Sequence, residues 1–287
     1  MSAQRLLVVG AGQLGSALAV DAARAGYRVT VAVRRQPAAD LQAQGCAVVV
    51  GWPAATFDLA VVCVPDRAVV AVAGQANAAA VRTAVWLHTA GALPGDLLRD
   101  VVPQGCSVGN LHPLAAVSGP AINSPLRGAL FALAGDALAL RAARDLAVAL
   151  GGLPAEVPDS ARAAYHAAAA LVANDWVALL SLGEHLVEQA GLDTAALRVG
   201  LLHLGRTALE RIAQLPPEQP AIAGLTGAVR RGDAATVRAH LDVLRPLEGG
   251  TAVHARCSAL LARELVATGT LPADLAAAVL AACQAEA

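Results

Sequence analysis

Lysine is missing from this chain: all 21 basic residues are arginine. That absence excludes a lysine general acid, a Schiff-base lysine and a lysine phosphate clamp. Charged residues are also sparse, at 15% with a formal net charge of −1, and no basic stripe exists. Nucleic acid is therefore not an expected partner. The five cysteines (Cys46, Cys63, Cys106, Cys257 and Cys283) are odd in number and scattered, without CxxC or metal-like spacing. Neither a disulfide framework nor a metal site is expected, and reduced thiols in a cytoplasmic protein are. Aromatic residues make up only 2%, so each that remains asks for a reason. Long clean apolar runs are lacking too. Hydrophobic residues reach 56%, but the longest stretches are broken by Gln75 and Asn77, or by His166, Asn174 and Asp175. With no unbroken run of about 18 residues, no membrane span is expected.

Against these absences stand three glycines, Gly10, Gly12 and Gly15. They follow the apolar run Leu6–Val9 and open an Ala-rich segment that closes at Gly26. Strand, Gly-rich turn and helix in that order make a dinucleotide-binding fingerprint. Gly10 suits the tight turn, Gly12 lets backbone approach a pyrophosphate, and Gly15 permits close packing of helix on strand. Ala11, Gln13 and Leu14 complete the loop at a helix N-terminus, where free N–H groups and the positive dipole end favour an anion. The competing reading is a secretory leader, Arg5 followed by an apolar stretch to Val20. A leader has no need of three glycines at this spacing.

The first half alternates strand and helix signals. Strands are expected at Tyr27–Val33, Ala47–Val50, Leu59–Val64 and Ala84–His88, with weaker candidates at Ser107–Leu111 and Leu130–Ala134. Helical stretches are expected around Ala38–Gln44 and Arg67–Ala80. Alternation of this kind implies βαβ units and a parallel sheet. Beyond Gly151, Gly152, Pro154 and Pro158 the pattern becomes helical: Ser160–Ala190 with Asp159 or Ser160 as N-cap, Thr194–Gln214, Asp233 to about Arg245, Ala252–Thr268 and Ala273–Ala282. The predicted architecture is α/β, a doubly wound, mostly parallel sheet in residues 1–152, followed by an all-helical domain in 153–287.

Several polar residues fall where this architecture would place a ligand. Arg34 and Arg35 end the second strand, roughly 20 residues past the glycines, where an acidic residue would favour NAD; arginine suits a 2′-phosphate instead. Val64, Pro65 and Asp66 end the fourth strand. His88 and His112 end the next two apolar segments, on the edge already marked by the glycines. Either could instead be a satisfied core histidine. His166 and Asn174 are eight residues apart, about 80° around a helix, with small Ala170 between them. A buried polar pair is the alternative there. The loop Leu225–Asp233 carries Thr226, Gly227, Arg230, Arg231 and a capping aspartate, and could close over an anion.

Taken together, Gly10–Gly15, Val64-Pro65-Asp66, His88-Thr89-Ala90-Gly91, His112-Pro113-Leu114, Tyr165-His166-Ala167-Ala168-Ala169 with Asn174, and Leu225–Asp233 resemble the Rossmann-like oxidoreductases that carry the helical domain of unknown function 2520. The resemblance runs over nearly the whole chain. The wider group is similar to 6-phosphogluconate dehydrogenase, β-hydroxyacid dehydrogenases and pyrroline-carboxylate reductase. It implies an NAD(P)-binding fold, a helical substrate and dimerisation domain, and redox chemistry, without naming a substrate. The β-hydroxyacid dehydrogenases use a lysine four residues before an asparagine; Ala170 stands there, so a lysine-assisted alcohol oxidation does not carry over. Ala90 and Ala173 replace serines usual in the closer family, which thins the polar lining.

These expectations converge on an NADP-dependent oxidoreductase (NAD being the second choice) acting on a small carbonyl, hydroxy-acid or imine substrate. Its alternative is a non-catalytic NADP-binding sensor. Gly10, Ala11, Gly12, Gln13, Leu14, Gly15, Arg34, Arg35, Val64 and Pro65 would hold the cofactor. His166 would donate the proton, Asn174 orient the reacting atom and His112 serve as second acid or base. His88, Thr226 and Arg231 would meet the substrate. A homodimer is expected.

Overall fold

The computed structural model describes residues 3–35, 40–120, 122 and 124–284. The chain divides into two compact units, Met1–Ala173 and Asn174–Ala287.

The first unit is built on one sheet. Its strands are β1 (Arg5–Val9), β2 (Arg28–Val33), β3 (Ala47–Val50), β5 (Leu59–Val62), β7 (Val85–His88), β8 (Ser107–Pro113), β9 (Leu130–Gly135) and β10 (Leu153–Glu156); the two-residue strands β4 (Thr56–Phe57) and β6 (Arg82–Thr83) pair separately. Helices α1 (Gln13–Arg24), α2 (Val69–Ala78) and α3 (Ala137–Ala149) connect them. Spatial order is β10-β9-β8-β7-β5-β1-β2-β3. Every pair in it is parallel except β8 with β9. The chain starts at β1, winds outward through β2 and β3, then returns to β5 on the other side of β1. The gap between the ends of β1 and β5 is thus the switch point, where open α/β sheets leave a crevice for ligands.

Side-chain alternation explains why these strands read as unbroken apolar runs. Leu6 and Val8 of β1, Leu59 and Val61 of β5, and Val85 and Leu87 of β7 join the core beneath α1 and α3. Their neighbours Leu7 and Val9, Ala60 and Val62, and Trp86 join a second core beneath α2. A sheet buried on both faces needs apolar residues at every position.

Several expectations shift. Asp40–Gln44 forms turns rather than a helix, closed by Gln44 N–H and Cys46 N–H donating to Leu41 O at 3.2 and 3.0 Å; Ala38 and Ala39 lie outside the described residues. β8 runs two residues further than expected, to Pro113, because its antiparallel partner β9 pairs His112 with Ala132 and Pro113 with Phe131. The sheet also takes Leu153–Glu156 as its last strand, beyond the expected boundary at 152.

Helix α4 (Arg162–Gln189) carries the chain across the division between the units. In the second unit it is followed by α5 (Thr194–Ala213), α6 (Ala234–Leu244), α7 (Gly250–Ala267) and α8 (Ala273–Gln284). Asp193 caps α5 by accepting from Ala195 N–H and Ala196 N–H, and Asp233 caps α6 by accepting from Thr236 N–H at 3.0 Å. Val237, Leu241, Ala262, Leu265 and Val279 form the centre of a core shared by α6, α7 and α8. Helices α4 and α5 contribute nothing to it. Among the described residues, Asp159–Gln189 is long and apolar enough to cross a membrane by length and composition, and none of its most apolar stretch is buried. The sequence criterion of an unbroken run passes over it because Asn174 and Asp175 interrupt it.

Candidate functional site

The glycine turn occupies the switch point. Gly10 adopts φ +101°, and a Cβ there would lie 2.5 Å from Cys63 O of the neighbouring β5 end. A Cβ on Gly15 would collide with the Gly10 carbonyl oxygen, so helix and turn can approach this closely only because residue 15 is glycine. Gly12 differs, since a Cβ there would meet open space. No side chain caps α1, whose N-cap is Gly12. Its first N–H groups therefore face that space with the positive end of a twelve-residue helix behind them. An open backbone approach backed by uncapped donors fits a diphosphate.

Two cavities meet at this turn. The larger, about 580 Å³, extends from Gly10–Gly12 to Arg34 and Arg35 at the end of β2, and to Trp52 beyond β3. Among the described residues no acidic side chain lines it. The smaller, about 370 Å³, runs from Gly12–Gly15 past Asp66 and Thr89 to His112. Val64 and Pro65 line both. The ten residues expected to hold a cofactor thus line these two adjoining cavities, referred to below as the groove.

His112 stands at the far end with two partners from the start of α4. The Tyr165 hydroxyl lies 2.8 Å from His112 Nδ1, and the His166 ring centroid is 6.2 Å from that of His112. Gly91 makes the convergence possible: a Cβ there would sit 2.8 Å from both His112 Nε2 and His166 Nδ1. Burial first, then the neighbouring His166 and Arg162 charges, push His112 down to about 4. Burial likewise raises Tyr165, which keeps its proton. At neutral pH the pair is a protonated phenol beside a neutral imidazole. A phenol donating to Nδ1 would leave the ring hydrogen of His112 on Nε2.

His88 has a different job from the substrate contact expected of it. It is wholly buried. Its Nδ1 accepts from Ala90 N–H at 3.3 Å and lies 3.2 Å from Asn110 Nδ2, while Nε2 is 2.9 Å from Pro94 O. With Nδ1 accepting, Nε2–H donates to that carbonyl. The ring pins the 89–94 loop from inside and offers no surface to a ligand. Burial pushes it down to about 4, so it stays neutral.

Two residues that the sequence reading left without a role support the loop. Asn110 Nδ2 donates to Ala90 O at 2.7 Å. Arg162, only 1% exposed, donates through Nε to Asp159 at 3.0 Å and through Nη1 to Gly91 O at 3.3 Å. Asp159 in turn accepts from Gly95 N–H at 2.9 Å, in place of the helix-capping role expected of it. A lone amide in an apolar strand and a lone arginine in an alanine-rich helix start were the available signals. Asn174, Thr226 and Arg231 lie in the second unit and are exposed. Among the described residues no group of three or more potential ligands could hold a metal ion.

Residues 129–258 match the family model of a domain of unknown function, DUF2520. The match begins at β9 and ends within α7. A search of curated proteins found no match. Among solved structures the chain is similar to BF3122 of Bacteroides fragilis (21% identity, 92% of this chain and 98% of that one, TM-score 0.70). It is also similar to an imine reductase of a Pseudomonas species (20%, 96% and 98%, TM-score 0.57). A third likeness is to the pyrroline carboxylate reductase of Plasmodium falciparum with NADP bound (14%, 99% and 98%, TM-score 0.56). At such identities the likeness establishes a shared Rossmann-like fold.

Proposed function

We propose that this protein is an NADP-dependent oxidoreductase acting on a small carbonyl, hydroxy-acid or imine compound. One observation carries the reading: two adjoining cavities lead from two arginines, across an uncapped helix N-terminus, to His112, which Tyr165 and His166 flank. Arg34 and Arg35, with no carboxylate in their cavity, suit a 2′-phosphate through charge-assisted bonds. Gly12 and the first N–H groups of α1 suit the diphosphate. The bound cofactor would supply or accept a hydride at the His112 end. The NADP-bound pyrroline carboxylate reductase and the imine reductase among the structural neighbours support that class of chemistry.

The protein's own part is the proton. His166, exposed at the end of the groove, is the donor or acceptor. His112 is reassigned from second acid to polarising donor, because a group titrating near 4 holds no spare proton at neutral pH. Its Nε2–H, fixed by Tyr165, would hydrogen-bond the reacting oxygen or nitrogen. Asn174, Thr226 and Arg231 remain candidates for the substrate side.

Calorimetry with NADP and NAD, followed by NADPH consumption against keto acids, aldehydes and cyclic imines, tests the reading. NADP should bind more tightly. Replacing both Arg34 and Arg35 by alanine should weaken NADP at least tenfold and leave NAD nearly unchanged. Equal losses for both would remove the role given to the arginines. Tight NADP binding with no turnover on any compound would favour a sensor.

A further inference from the structure

We infer that Trp52 is the platform on which the adenine ring of the nucleotide packs, and so sets the protein's affinity for the adenosine half. This rests on the NADP reading above. Among the described residues Trp52 is the only Phe, Tyr or Trp that lines either cavity of the groove. It shares the larger cavity with Arg34 and Arg35, on the side of the phosphate loop away from His112.

The backbone explains how it arrives there. β3 ends at Val50, and Gly51 at φ +90° turns the chain while its N–H donates to Val33 O at 2.8 Å. That bond ties the end of β3 to the end of β2, immediately before Arg34. Trp52 is half-buried, packed against the core beneath α2, and Pro53 behind it is buried. Its ring is held before any ligand arrives, so little side-chain freedom remains to be lost on binding. Val50 at the end of the edge strand β3 and Val72 of α2 make the same cavity apolar, and Gln75 adds an amide. A flat indole in an apolar recess beside two guanidinium groups has the chemistry of a purine nucleotide site: a π-face for the base and cations for its phosphate. In a chain with 2% aromatics, this accounts for one of its three tryptophans.

Fluorescence and calorimetry with adenosine 2′,5′-bisphosphate, NADP and nicotinamide mononucleotide test it on the full chain. Trp86 is sealed in the core, and Trp52→Phe removes the one indole that lines the groove, so loss of quenching in that variant assigns the signal to Trp52. Quenching should vanish in Trp52→Phe while affinity stays within about threefold. Trp52→Ala should weaken the bisphosphate and NADP about tenfold and leave the mononucleotide unchanged. Undiminished quenching in Trp52→Phe, or equal bisphosphate affinity in wild type and Trp52→Ala, overturns the inference while the NADP reading stands. Wild-type protein that binds neither the bisphosphate nor NADP overturns both. Because Trp52→Phe keeps an aromatic ring against the core, its optical result holds even if Trp52→Ala melts early.

Discussion

His88 shows how little a residue's type says about its task until its surroundings are known. Its proton affinity in the folded chain, near 4, lies below the value of about 6.5 expected when unfolded. The folded state therefore refuses a proton that the unfolded state accepts. Its contribution is complete above pH 6.5 and is lost as pH falls from 6.5 to 4, to the extent of about 3 kcal/mol. His112 adds to the same acid limb. His88→Asn should lower Tm at pH 8 by breaking the loop bonds, yet the gap from wild type should narrow by pH 5. Thermal melts across that range decide it; a constant gap would mean that the ring is not held neutral. His166 makes the opposite forecast. His166→Ala should slow turnover by about 10²–10⁴, the usual worth of a positioned acid, with Tm and NADP affinity nearly unchanged. Single-turnover hydride transfer beside a melt separates this from a structural role, in which Tm would drop and the rate per folded molecule would survive.

The three glycines of the turn differ at the scale of the element they serve, and the difference can be measured. Gly15→Ala must push α1 away from the Gly10 carbonyl and from Cys63, an overpacking cost of roughly 1–3 kcal/mol. Gly12→Ala meets no protein atom and should melt like wild type while binding NADP at least tenfold more weakly. Denaturant curves and calorimetry on the two variants should therefore give opposite rankings; parallel losses would contradict the assignment of Gly12 to the phosphates. The turn was legible in the sequence because glycine is the only residue that meets all these constraints. So were β1, β5 and β7, whose two-faced burial leaves unbroken apolar runs, the short apolar edge strand β3, and α5 and α6, whose aspartate caps are local. Less legible was whatever depends on a partner distant in sequence. β10 reads as Gly- and Pro-flanked linker until β9 lies beside it. His112 became part of a strand only through pairing with Ala132. Its link to Tyr165 spans 53 residues. Trp52 gains its meaning only from the bond between the ends of β2 and β3.

At the scale of the whole molecule, helices α4 and α5 carry apolar side chains with nothing over them. Val177 and Leu179 of α4 are 61% and 44% exposed, and Val199, Leu204 and Leu209 of α5 are 69%, 64% and 51% exposed. Burying one such side chain is worth about 1.5–3 kcal/mol, and lone monomers rarely leave an apolar patch of more than a few hundred Å² in water. The two helices touch at two places. Arg198 holds Glu184 at 2.5 Å, and Trp176 closes on Gly205. A bilayer is a poor cover for this surface, since the charged pair and Asp175 would each cost about 2.5–3.5 kcal/mol at its centre. A second copy of the chain, meeting the same surface with its own, can leave those charges at a wet polar rim. The protein should therefore be a dimer through α4 and α5, with light scattering giving twice the chain mass at micromolar concentration. Val199→Asp with Leu204→Asp should return it to a monomer that keeps its helical circular dichroism and its NADP affinity. A wild-type monomer at that concentration, or a dimer indifferent to both substitutions, would place the interface elsewhere or remove it.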